Sequence, residues 1–215
     1  MNENIFKENT NLENKSKFTE FYNKNKLIIF SFLSIVIVFL ILLNFYFGNK
    51  KKEQLRLSEN YISAKIYIEN GENEKAIKIL KNIIESKNDT YSTLALFLLL
   101  DKEFLQDKKE ALDLFDYILK NTKFDKDIKN LIIYKKSIFQ SNFVKEDQLL
   151  ESLKPLLNDD TVWKPHALLL LGDFYLFRGQ KSKAREFYSE ILSLKNIDKE
   201  FYKKASMQIV FTNDN

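Results

Sequence analysis

Residues 165–196 read PHALLLLGDFYLFRGQKSKAREFYSEILSLKN. Leu168, Leu171, Gly172 and Tyr175 recur at three- and four-residue intervals, the period of one helix face. After Gly179 the same period returns in Ala184, Tyr188 and Ile191. Gly172 and Ala184 are small where two antiparallel helices must approach, and Tyr175 and Tyr188 fill the space beside them. Gly179 permits the tight interhelical turn. The stretch therefore predicts a helical hairpin, and the rest of the chain after residue 57 carries the same kind of pattern. No run shows the alternation of a half-buried strand, so the class is all-α.

The hairpin recurs. Ala64, Tyr67, Gly71 and Ala76 repeat the intervals of Gly172, Tyr175, Gly179 and Ala184, and Leu80 and Ile83 follow. Thirty-five residues after Ala76 stands Ala111, with Phe115 and Ile118 at the matching distances. A weaker third unit pairs a helix near residues 128–140 with one near 146–157, where Leu149 takes the small-residue place 35 residues before Ala184. A period of 35 to 38 residues marks stacked repeats. The segment 198–210, with Phe201, Tyr202, Ala205, Ile209 and Val210, predicts a terminal helix over the last apolar edge.

Leu168-x2-Leu171-Gly172-x2-Tyr175 followed by Ala184-x3-Tyr188 resembles the tetratricopeptide signature W-x2-L-G-x2-Y and A-x3-F. Leu168 stands for the Trp, Tyr188 for the Phe, Ile191 where a small residue is common, and Asn196 where the closing Pro would fall. The expectation is a tetratricopeptide-like α-solenoid of about four hairpins over residues 58–212, with a C-terminal capping helix. Ala64, Tyr67, Gly71, Ala76, Ala111, Phe115, Leu171, Gly172, Tyr175, Gly179, Ala184 and Tyr188 are its repeat-packing residues.

Upstream, LIIFSFLSIVIVFLILLNFYF (27–47) contains no charge. At about 1.5 Å per residue it reaches roughly 30 Å, the thickness of a bilayer's hydrocarbon core. Phe45, Tyr46 and Phe47 at one end, with Phe21 and Tyr22 near the other, resemble interfacial aromatic belts. A cleaved signal peptide would need a shorter apolar run and small residues where Asn44 to Phe47 stand. The segment predicts one uncleaved transmembrane helix. Residues 1–26, polar and Asn-rich, predict a mobile tail, and 48–57 a juxtamembrane linker.

Charge excludes some functions. The net charge of +4 is concentrated before residue 54, where eight Lys face five Glu; beyond it 26 Lys and Arg face 25 Asp and Glu. Nucleic-acid binders carry a one-sided basic surface, and none is implied here. With no cysteine there are no disulfides, thiolate metal sites or thiol nucleophiles. The one histidine, His166, opens a repeat helix without a nucleophile or metal ligand near it in sequence. Asp159 and Asp160 suit the approach to a helix N-terminus rather than a metal. Glycines never cluster into a phosphate loop. Neither catalysis nor a cofactor or metal is expected.

Five basic residues precede the apolar run within twenty residues (Lys7, Lys15, Lys17, Lys24, Lys26) and five follow it (Lys50, Lys51, Lys52, Arg56, Lys65). The positive-inside rule leaves the orientation open. Short polar tail, one anchor and degenerate repeats together resemble the bacterial single-pass tetratricopeptide family that includes the ancillary subunit of the Sec translocon. That resemblance implies a cytoplasmic tail, an inner-membrane anchor and a periplasmic repeat domain. Its partners would be translocon subunits, periplasmic chaperones or translocating polypeptides. The alternative is a scaffold for other envelope-assembly factors that binds no clients.

In this repeat family the first helix of each hairpin lines the binding face. Projecting the period places Tyr61, Lys65 and Ile68 there from the first unit, and Leu96, Leu100 and Phe104 from the second. His166, Leu169, Asp173, Leu176 and Phe177 come from the last. The set is mostly apolar or aromatic and contains no Lys/Asn group to hold a terminal carboxylate. A groove of this kind suits an extended apolar segment or an amphipathic helix.

Overall fold

The computed structural model describes the backbone of residues 3–158 and 161–212, and side chains of 23–28, 30–158 and 161–212. Asp159 and Asp160 lie outside the described residues. The described chain is helical throughout, without a strand. The helices are α1 (Glu3–Glu69), α2 (Asn73–Glu85), α3 (Asp89–Asp101), α4 (Lys108–Asn121), α5 (Lys126–Ser141), α6 (Glu146–Asn158), α7 (Lys164–Phe177), α8 (Lys181–Ser193) and α9 (Lys199–Thr212).

Two compact units divide the chain, residues 1–57 and 58–215. The first holds the apolar segment within α1, long and apolar enough to cross a membrane and with none of its residues buried. From Glu3 onward, helix runs through the stretch where the sequence predicts a mobile tail (1–26) and through the predicted linker (48–57); residues 1 and 2 lie outside the described residues. From Glu3 to Glu69 there is no proline and only Gly48 as glycine, so nothing forces the helix to stop.

The second unit is four antiparallel hairpins and a cap. The last turns of α1 lead through the turn at Gly71 into α2, which packs on α3; α3 pairs with α4, α5 with α6 and α7 with α8, while α9 packs on α8 and α7. Fully buried side chains alternate along the facing helices: Ala64, Ala76, Leu80, Ile83, Ala111, Phe115, Ile118, Ala184, Tyr188 and Ile191. Leu171 and Tyr175 share one core cluster with Ala184, Tyr188 and Ile191. Asn88 caps α3 by accepting from the Thr90 and Tyr91 amides at 3.1 and 2.9 Å, and Asp107 caps α4 through the Lys109 amide at 2.8 Å.

Three of the first helices end alike. Gly71 and Gly179 take φ of 77° and 73°, where a side chain would be strained. Their amides bond to Ile68 O and Leu176 O, each at 3.0 Å; the next amides reach Tyr67 O and Tyr175 O at 2.8 and 2.9 Å. At the end of α3 the same two bonds form from Glu103 and Phe104 to Leu100 O and Leu99 O, with Glu103 at φ 54°. Glu103 is therefore the structural counterpart of Gly179. Ala184 follows Gly179 by five residues, but Ala111 follows Glu103 by eight, so the α3–α4 connection is three residues longer.

That insertion moves the register of α3 by almost one helical turn. The residue seven before the left-handed position is Gly172 in α7 but Leu96 in α3. Leu96 is fully buried, together with Ser92, Ala95 and Leu99. Its sequence-based assignment to a binding face is thus corrected: it is a core residue. Phe104 also leaves the helix, because it lies in the longer connection between α3 and α4.

Candidate partner-binding groove

The first helices of successive hairpins form a row in which α5 touches α7 and α7 touches α9. Between α3 and α5 a hollow of about 510 Å³ opens instead, lined by residues of both helices and of the long α3–α4 connection. Its lining is mostly apolar: Leu100 from α3, Leu105 from the connection, and Ile138, Phe139 and Phe143 from α5 and the turn after it. The aromatic part is ordered edge to face, with Phe139 and Phe143 centroids 5.3 Å apart at 79° and Phe139 6.4 Å from buried Phe115. Lys108 stands with its ammonium 4.8 Å from the Phe143 ring centre. Lys108, Lys135 and Glu103 line the same hollow as its charged members.

The sequence-predicted groove residues are not gathered into one site. Leu100 alone of them lines the hollow. Tyr61 is half-buried with its ring 6.3 Å from Tyr91; burial raises its phenol above the usual range. Lys65 is exposed and Ile68 half-buried. Leu169 and Leu176 pack in part against the core around Leu171 and Tyr188. Phe177 is 93% exposed, at the very end of α7.

His166 sits in an aromatic box. Its ring centre lies 5.4 Å from Tyr134, 5.1 Å from Trp163 and 4.6 Å from Phe201, while Nδ1 is 3.1 Å from Val162 O. The box ties α5, α7 and α9 together, a packing role. Beside it a second hollow, of about 850 Å³, is lined by the start of α7, the α8–α9 connection and Phe201.

Asp173 accepts a 2.7 Å hydrogen bond from the Tyr188 hydroxyl. Burial lifts the Asp173 carboxyl above its ordinary value, with the Tyr188 hydroxyl pulling the other way. Burial and the same bond hold the Tyr188 phenol far above its usual range, so it remains the donor. Tyr175 behaves likewise through burial and Glu146. Among the described residues no cluster of three or more His, Cys, Asp or Glu could hold a metal ion.

The corrected register also shows what the sequence missed. Aligning Glu103 with Gly179 puts Phe97 where Asp173 stands, and aligning Leu149 with Ala184 puts Leu131, Tyr134 and Ile138 where His166, Leu169 and Asp173 stand. Ile138 is exposed at 36% and lines the hollow. The signal that could have found it is the fixed twelve-residue interval backward from Leu149, which lands on fully buried Ser137.

Comparison with known proteins agrees with this geometry. Residues 166–194, the α7–α8 hairpin, match the family model of the tetratricopeptide repeat. No curated protein and no solved structure matches the chain.

Proposed function

We propose that this chain is a membrane-tethered protein-binding module. Its α1 segment over residues 27–47 anchors it, and its hairpins hold a partner segment through the hollow between α3 and α5. The observation that carries the reading is the hollow itself: an apolar, aromatic-lined depression bordered by α3, α5 and the longer α3–α4 connection. Such a depression suits a single bulky apolar side chain of a partner. Tethering adds to it, because a fixed local concentration makes a weak site useful. Tetratricopeptide hairpins are protein-interaction scaffolds, and the match over α7–α8 supports that class over an enzyme.

In its finer form the proposal puts the repeat domain on the periplasmic side of a bacterial inner membrane, as an accessory subunit or chaperone-like adaptor beside the Sec translocon. What supports this is the resemblance in layout: tail, single anchor, degenerate repeats. The test is protease protection of the chain in right-side-out vesicles, followed by detergent purification of its complexes. A repeat domain digested from the periplasmic side, with translocon subunits co-purifying, is the expected result. Digestion only from the cytoplasmic side would overturn the location. Co-purification of folded envelope-assembly factors without translocon subunits would favour the scaffold instead.

A further inference from the structure

We propose that the hollow between α3 and α5 selects an extended acidic segment of its partner: a bulky apolar residue enters it, with a carboxylate two residues before and two after. The inference rests on the reading of that hollow as the partner site and adds the chemistry that chooses the partner. Three charged residues line it: Glu103 after α3, Lys108 at the start of α4 and Lys135 within α5. Other lysines close by in the chain are answered within it. Lys136 pairs with Asp116, Lys81 with Glu110, and Lys102 stands 3.9 Å from Asp101. Lys108 and Lys135 make no ion pair among the described residues, and both are exposed. Asp107, beside Lys108 in sequence, is committed to the Lys109 amide at 2.8 Å. Glu103 answers neither lysine, so the lining keeps two unpaired cations against one anion.

The placement of the two cations sets the form of the partner. Lys135 precedes Phe139 by one helical turn, about 6 Å of rise. Phe143 lies on the other side, its ring centre 5.3 Å from that of Phe139. The negative face of the Phe143 ring keeps the Lys108 ammonium, 4.8 Å from its centre, at that end of the hollow. The lysines thus flank the apolar lining at opposite ends, on the order of 10 Å apart along α5, and face two carboxylates rather than one. In an extended chain the side chains at i−2, i and i+2 share one face and span about 13 Å. With an apolar residue at i, the outer two reach the lysines. An amphipathic helix would need a longer trough for anchors at i, i+4 and i+7. The lining contributed by α5 and its turn, from Lys135 to Phe143, covers only about two turns.

The test selects short random peptides, displayed with both ends fused so that no terminal carboxylate is offered, on the full chain in lipid nanodiscs. Binders that Ile138→Gln removes are those that use the hollow. Expected among them are Asp or Glu two residues before and two after a Phe, Leu, Ile or Trp. On the chain carrying Lys108→Glu and Lys135→Glu the same two positions should turn to Lys or Arg. Both lysines are exposed and unpaired, so these changes leave the fold intact. Replacing both acids of one selected peptide by Asn or Gln should weaken binding about two- to thirty-fold, the range of two exposed ion pairs. The same replacement should change little once Lys108→Ala and Lys135→Ala are in place. Hollow-dependent binders without acidic residues, or with them at helical spacing, would overturn the inference and leave the hollow as a partner site. No binder lost with Ile138→Gln, in a chain that keeps its helical spectrum, would overturn the hollow and the inference together.

Discussion

Gly172→Ala is the sharpest perturbation the fold offers. Gly172 is buried in α7, and an added Cβ would lie within 3 Å of three ring carbons of Tyr188, two of them at 2.7 and 2.8 Å. Real Cβ atoms do not sit so close, so the ring or the helix must move. Tyr188 has little freedom to yield: it is fully buried, and its hydroxyl is held by Asp173 at 2.7 Å. Overpacking of this kind costs about 1–3 kcal/mol, and loss of the hydrogen bond about 1 kcal/mol more. Alanine's better helix propensity returns about 1 kcal/mol. The net expectation is a destabilisation of roughly 1–3 kcal/mol, which at about 2–4 °C per kcal/mol lowers Tm by several degrees. Thermal and urea unfolding of the repeat domain, followed by circular dichroism, measure it. Tyr188→Leu, which clears the ring, should make the same Gly172→Ala change much less costly in the double variant. A neutral or stabilising Gly172→Ala in the Tyr188 background would refute the close-approach reasoning.

Leu96→Ala should destabilise by about 2–5 kcal/mol in urea unfolding, because Leu96 is a core residue. Ile138→Asp, at a partly exposed position, should cost about 1 kcal/mol or less in stability yet abolish partner capture. Arg178→Ala removes a 2.8 Å bond to Val144 O and a guanidinium 3.9 Å from the Phe174 ring centre, for a loss of about 1–2 kcal/mol by denaturant midpoint. The raised Asp173 pKa means the folded state holds that proton more tightly than the unfolded chain does, so its contribution falls as pH rises past the ordinary carboxylate value of about 4. Asp173→Asn should therefore flatten this fall in a pH series of unfolding midpoints, with Asn Oδ1 still accepting from Tyr188.

The clearest hairpin was legible because each of its parts does one job: Gly172 and Ala184 allow the approach, Tyr175 and Tyr188 fill it, and Gly179 turns it. In the structure Ala184 and Tyr188 are fully buried, Gly172 lies against the Tyr188 ring, Gly71 and Gly179 take positive φ, and Ala64 and Ala76 are fully buried. The second hairpin misled because counting back from Ala111 assumed a connection of constant length. A left-handed glutamate, Glu103, does the work of glycine there and leaves no composition signal, so the three added residues were invisible and Leu96 was assigned to the wrong face. The third hairpin was faint for another reason. Its first helix buries Asn130, Ser137 and Gln140, which breaks the apolar period that a reader counts. The hollow lies between these two hairpins, where both irregularities meet, and for that reason the sequence supplied only Leu100 of its lining. In α1 the apolar span itself was plain, whereas the continuity of helix on either side was not, since polar Asn-rich sequence carries little helical signal of its own.

The central claim, that the hollow between α3 and α5 receives a partner protein, is tested most directly by photo-crosslinking in intact cells from a reactive residue at Ile138, with exposed Lys78 of α2 as the control position. The account predicts discrete protein adducts from position 138 that are absent from position 78 and are lost when Phe143→Ala removes part of the hollow's aromatic lining. Equal adducts from both positions, or none from position 138 in a folded, membrane-retained chain, would contradict it.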